Sequence, residues 1–138
     1  MRYLRFIAAA FIVAIVAYAA GFGSLSAQPA PAPPEKECLK PGDAITGKLR
    51  LVATRHPNGT RIEAYQLTGV KGVCVKDMEE FCDGPPTVFH VLPEDAKLGR
   101  QLVKLQGKTL TMRGAGFFCS HTAWHIGDAV MQGAALAK

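Results

Sequence analysis

The sequence predicts a mainly β fold: a small five-stranded Greek-key, OB-like barrel with one short helix between strands three and four. Three observations predict it. Apolar and polar residues alternate with period two over several short stretches, the spacing of a half-buried strand. Only one stretch of the body has helical spacing, and it falls between the third and fourth of these strands. A body of about a hundred residues also has little core to spare, and closing the sheet on itself removes edges that would otherwise pair with neighbours.

The elements follow in order. Ala44–Ala53 sets Ile45, Leu49 and Leu51 against Thr46, Lys48 and Arg50, which gives a first strand. His56-Pro57-Asn58-Gly59 supplies a turn, and Arg61–Val70 returns as the second strand of a hairpin. Gly72–Val75 reads as its continuation or as a short separate strand, and Lys76–Pro86 as an acidic loop ended by two prolines. Thr87–Leu92 is the third main strand. Pro93–Leu105 is the helical candidate. Pro93 suits a first turn, Glu94 and Asp95 suit the positive end of the dipole, and Leu98, Leu102 and Leu105 line one face. Gly99 weakens it and allows two short pieces instead. Gln106-Gly107 turns the chain into a strand over Lys108–Gly114, and Ala123–Met131 is the last strand pattern.

This body, residues 37–138, follows two segments of different composition. Arg2 and Arg5 precede an uncharged run from Phe6 to Leu25, with small residues at Gly21, Gly23, Ser24, Ser26 and Ala27. A positive start, an apolar stretch and small residues are the layout of a secretory signal. The same 20-residue run, residues 6–25, is long enough at 1.5 Å per residue to cross a ~30 Å hydrocarbon layer. Residues 1–27 are therefore expected to be a signal peptide or an uncleaved membrane anchor. Both readings export the body, which makes it periplasmic or secreted, or inner-membrane anchored with the domain in the periplasm. No cysteine follows the run where a lipoprotein needs one. Residues 28–36 are rich in Pro and Ala, a composition that favours an extended, semi-rigid spacer.

The 138-residue chain carries 16 Lys and Arg against 11 Asp and Glu, a net charge of +5 that falls to +3 once Arg2 and Arg5 are removed. The basic residues are scattered, with no run of three. A nucleic-acid partner needs a basic groove interleaved with aromatic residues, so the composition and the export signal together exclude it.

Cys38-Leu39, Ile45–Leu49, Gly72–Val75, Leu105–Gly114 and His121–His125 form an ordered set of blocks. In this order they resemble family 4431 of the bacterial domains of unknown function, over residues 38–131. The resemblance implies a small exported domain with a barrel-like fold and no established activity, and it supplies no catalytic residues. Four cysteines in an exported domain of this size point to two disulfides, for which the sequence allows three connectivities. The expected pairing is Cys38–Cys74 with Cys82–Cys119, and its first half is also what the resemblance favours. No Cys-x-x-Cys pair is present to suggest redox catalysis.

Chemistry concentrates in Cys119-Ser120-His121-Thr122-Ala123-Trp124-His125. Cys119, His121 and His125 are ligands suited to zinc or copper, with His56, His90 or Asp128 as a further one. On a strand, however, His121 and His125 stand ~13 Å apart, and a disulfide removes Cys119 as a thiolate. His121 and His125 are thus the candidate metal ligands, while the expectation is no metal, no other cofactor and no catalytic residue. Ser120, His121 and Asp128 hold the groups of a nucleophile, base and orienter, but adjacent Ser and His side chains diverge and no Gly-x-Ser-x-Gly elbow frames the serine. Trp124 reads as a core or barrel-mouth residue. The functional expectation is a noncatalytic binding or accessory module of the cell envelope, with an envelope protein, a glycan or a small ligand as partner. The alternative is a metal-binding protein or small hydrolase built on Cys119, His121 and His125.

Overall fold

The computed structural model describes residues 37–78 and 80–138. The signal or anchor expected over 1–27 and the spacer over 28–36 lie outside these. Along the chain the elements are β1 (Ala44–Arg55), β2 (Arg61–Thr68), β3 (Lys76–Asp77), β4 (Glu80–Phe81), β5 (Val88–Pro93), α1 (Ala96–Lys104), β6 (Thr109–Arg113), β7 (Gly116–Cys119) and β8 (Ala129–Leu136). Among the described residues no helix is long and apolar enough to cross a membrane, and α1 has nine residues. The expectation of membrane anchoring is corrected on that finding; the apolar run 6–25 itself is not among the described residues.

β1 behaves as its alternation demands. Ile45, Gly47 and Leu49 are buried while Thr46, Lys48 and Arg50 face out. β1 pairs antiparallel with β2 through Lys48↔Thr68 to Arg55↔Arg61, and with β6 through Ala44↔Arg113 to Lys48↔Thr109. β2 pairs with β5 from Tyr65↔Val91 to Thr68↔Val88. The first hairpin closes with bonds from Gly59 N–H to the His56 carbonyl and from His56 N–H to the Thr60 carbonyl. Gly59 takes the positive φ of 90° that this tight return needs.

The expected closed five-stranded Greek-key, OB-like barrel is corrected. The sheet has six strands in the order β5-β2-β1-β6-β8-β7, with a further parallel pairing of β5 with β8. β6 and β8 share only two register pairs, Met112↔Leu136 and Arg113↔Ala135. The chain then turns at Gly114-Ala115 into β7, which takes over the edge of β8 from Gly116↔Gln132 to Cys119↔Ala129. The β5–β8 ladder shifts register between Val91 and Pro93. The result is a six-stranded near-ring with a separate β3-β4 ribbon.

Local corrections have local causes. Pro93 ends β5 instead of opening the helix, and Asp95 caps α1 by accepting from Leu98 N–H at 2.7 Å. Gly99 does not divide the helix; its carbonyl accepts a hydrogen bond from the Tyr65 hydroxyl at 2.9 Å. Leu98 and Leu102 are buried, each contributing about 1.5–3 kcal/mol. Gly72–Val75 is not a strand, although the Cys74 carbonyl takes Leu39 N–H at 2.9 Å. The last strand starts at Ala129 rather than Ala123 and runs on through Gln132-Gly133-Ala134-Ala135. The core inside the near-ring is built on Leu49, Leu67, Phe89, Leu102, Met112 and Met131. Cys38 is bonded to Cys74, and Cys82 to Cys119.

Candidate functional site

Beyond Leu49 and Tyr65, the register pairs of β1 and β2 among the described residues are with each other, because β6 and β5 stop pairing there. The hairpin therefore continues past the near-ring as a two-stranded arm with His56 at its tip. The segment Ser120–Asp128, between β7 and β8, meets this arm from the other side. The indole of Trp124 stacks on the imidazole of His56, with ring centroids 3.9 Å apart and planes 16° from parallel. Trp124 is nonetheless 46% exposed. Most large aromatic residues of a small domain are hidden; this one is held flat at the surface.

The sheet beneath holds the loop in place. Arg50, Gln66, His90, Val130 and Phe118 stand in register across β1, β2, β5, β8 and β7, so they share one face. It is the outer face, since their neighbours Leu49, Leu67, Phe89 and Met131 belong to the core. His90 and Val130 are buried there without joining the core cluster. Gln66 Nε2 donates to the Ile126 carbonyl at 2.6 Å, and Ile126 N–H donates to His90 Nδ1 at 3.2 Å. The His125 ring lies across Phe118 and beside His90, at centroid distances of 5.4 and 6.1 Å. Close approach requires glycine at 127, where a Cβ would sit 2.8 Å from the Val88 carbonyl oxygen and 2.9 Å from His90 N.

These contacts determine proton positions. His90 Nδ1 accepts from Ile126, so the proton of the neutral ring is on Nε2. Burial lowers the His90 pKa, and the neighbouring His125 lowers it further. His125 Nδ1 and Ser120 Oγ are buried with no hydrogen-bond partner among the described residues. At the loop's end, Asp128 Oδ2 accepts from Thr87 N–H, the Thr87 hydroxyl and Val88 N–H at 2.9, 3.1 and 3.0 Å. Burial pushes the Asp128 carboxyl up, but these three bonds together outweigh it and hold the pKa below its usual value.

Comparison with protein-family models, with curated proteins and with solved structures gives no match. The resemblance to family 4431 is corrected on that finding, since its blocks, a Gly-Lys before alternating Thr and apolar residues among them, are common to many β proteins.

The residues singled out in the sequence are distributed over different surroundings. Cys119 is spent on Cys82. His121 hydrogen-bonds through Nε2 to Asp77 Oδ2 of β3 at 3.0 Å. His125 packs on Phe118, and His56 on Trp124. The structure thus does not bring Cys119, His121 and His125 together as a ligand set, and no group of three or more His, Cys, Asp or Glu suited to a metal occurs among the described residues. Nor do Ser120, His121 and Asp128 form a relay, because Ser120 Oγ has no partner and the aspartate is engaged by Thr87 and Val88. A cleft of about 400 Å³ does lie between the Cys82–Cys119 bridge and the loop, lined by Phe81, Asp83, Ser120, His121 and Asp128. Gln66, Phe118 and the outward placement of His90 were not anticipated. The available signal was His90's position between the apolar Phe89 and Val91.

Proposed function

We propose that this is an exported, noncatalytic binding module of the cell envelope, periplasmic or secreted, which holds a glycan against Trp124 at the junction of the arm and the Ser120–Asp128 loop. One observation carries the reading: an indole kept 46% exposed by stacking on His56, on a loop that the sheet anchors through Gln66 and His90. A flat apolar face with its π-electron cloud outward matches the C–H face of a sugar ring. Because the aromatic pair is already assembled, little side-chain freedom is lost when a ligand arrives. A surface platform rather than a deep pocket suits a chain laid across it. Export is supported by the Arg-flanked apolar leader and by two disulfides in a small domain.

The test is titration of the purified, oxidised protein with an N-acetylglucosamine oligomer, read by tryptophan emission at neutral pH. Trp124 is the only tryptophan in the chain, so the signal reports the site alone. The expected result is a saturable shift, with calorimetry showing the same heat lost in Trp124→Ala. Undiminished heat in the Trp124→Ala variant, or no binding of neutral and acidic glycans alike, overturns the reading.

A further inference from the structure

We infer that the Ser120–Asp128 loop is a proton-operated latch: protonation of His90 unseats the loop and separates Trp124 from His56, so the aromatic platform is assembled near neutral pH and dismantled in mild acid. The inference concerns regulation of the site proposed above and rests on that reading for its biological consequence. The latch itself rests on geometry.

His90 is 7% exposed on the outer face of β5, and the loop is what covers that face. Its Nδ1 is the acceptor that fixes Ile126 N–H. Adding a proton there turns the acceptor into a donor and sets two N–H groups against each other across 3.2 Å. The bond is lost, and a cation is left in a nearly dry position. Among the described residues, the groups that face the ring do not offset that charge. Within the row, β2 offers the neutral amide of Gln66, β8 offers Val130 and β7 offers Phe118. The loop presents the imidazole of His125, which carries no negative charge to set against the proton. The next residue along the row, Arg50 of β1, is already positive. The carboxylate of this loop, Asp128, has its Oδ2 committed to Thr87 and Val88. Water is the remaining way to solvate the imidazolium, and water reaches it when the loop lifts.

The same movement relieves two costs of the closed form. Ser120 Oγ and His125 Nδ1 are buried without partners among the described residues, and both gain water on opening. The motion is bounded at each end. Cys119 is bonded to Cys82, and Asp128 stays tied to β5 through its own N–H and carboxylate. What lifts is the stretch between them, with Trp124 near its apex. The sign follows from linkage. A histidine whose pKa is lower in the closed state leaves the loop fully seated above its open-state value of about 6.5. Below that value the closed-to-open ratio falls up to tenfold per pH unit, until the closed-state pKa is reached.

The experiment follows Trp124 emission of the full-length oxidised protein, without ligand, from about pH 8 to about pH 5, with far-ultraviolet circular dichroism alongside. A reversible red shift below about pH 6.5, with the dichroism unchanged, is expected. His90→Gln retains an acceptor for Ile126 but cannot titrate, and should abolish the shift while keeping the neutral-pH spectrum. His56→Phe keeps a stacked ring without its own proton, and the shift should survive in it. No transition in the wild type, a transition retained in His90→Gln, or one abolished by His56→Phe overturns the latch. Should His90→Gln not fold, amide exchange in the wild type decides. The Ile126 N–H should lose protection through the transition while the Asp128 N–H keeps it, and equal behaviour of the two refutes the mechanism. A transition without glycan binding at neutral pH sinks the glycan reading alone. Glycan binding without a transition sinks the latch alone.

Discussion

Removing the two disulfides separates chain entropy from packing. Cys38–Cys74 and Cys82–Cys119 close segments of nearly equal length, with sequence separations of 36 and 37. On the chain-entropy relation a loop of this size stabilises the native state by about 4 kcal/mol. The two segments do not overlap in sequence, so neither bridge shortens the loop closed by the other, and their contributions add to about 8 kcal/mol. A small domain has a net stability of about 5–15 kcal/mol, so the doubly reduced protein is expected to sit close to its unfolding midpoint at body temperature. The bridges differ in surroundings. Cys119 is buried in the core cluster, whereas Cys38 and Cys74 lie outside it. Cys38→Ala with Cys74→Ala should therefore cost about 3–4 kcal/mol, and Cys82→Ala with Cys119→Ala about 1 kcal/mol more for the lost core contacts. Urea unfolding, followed by far-ultraviolet dichroism with linear extrapolation, measures each difference. A loss below about 3 kcal/mol with both bridges absent refutes the entropic argument. A first pair costlier than the second refutes the packing argument.

Three further outcomes follow from single residues. Gly127→Ala places a methyl against the Val88 carbonyl and His90 N, so the loop should detach at neutral pH and Trp124 emission shift red, with the near-ring still folded by dichroism. Leu102→Ala empties the fully buried face of α1 and should cost about 2–5 kcal/mol in urea unfolding, with no change in Trp124 emission before the transition. Asp128→Asn weakens three hydrogen bonds at a partly solvated site and should cost about 1 kcal/mol at neutral pH. Because the folded-state pKa of Asp128 is lowered, its stabilisation is full above the unfolded value of about 3.9 and disappears as pH falls through the folded one. The wild type and variant should therefore converge in strong acid when thermal unfolding is compared.

What could be read from the sequence, and what could not, divides along physical lines. β1 was legible because its inward Ile45 and Leu49 alternate with charged neighbours, and α1 because Leu98 and Leu102 share a face behind Asp95. The C-terminal half was not. Gln132-Gly133-Ala134-Ala135 has little intrinsic strand preference, yet it lies in β8, where Ala134 is fully buried and bulk would not fit. Trp124 and Ile126 suggested a strand, but they lie in a loop whose Ile126 backbone bonds Gln66 and His90 on the outer face of the sheet. That the four cysteines form two disulfides was recoverable from the expected compartment and the size of the domain, whereas the sequence left three connectivities open. The association of His90 with His125, and of His56 with Trp124, was not, since each joins residues from different elements and depends on how β2, β5 and β8 sit side by side.

β8 is the last of the described elements and also the strand that pairs with the largest number of others. It pairs with β5 on one edge and with β6 and β7 on the other, and Ala129, Val130, Met131 and Ala134 within it are fully buried. The β1–β2–β5 meander can pair before β8 is in place, but the near-ring has to wait for β8. Contacts of such long sequence separation form slowly. Truncation from Leu136 inward by two residues would remove the β6–β8 register pairs and open the near-ring at that junction. The position of one strand thus makes closure of the near-ring a late step that depends on partners distant in sequence.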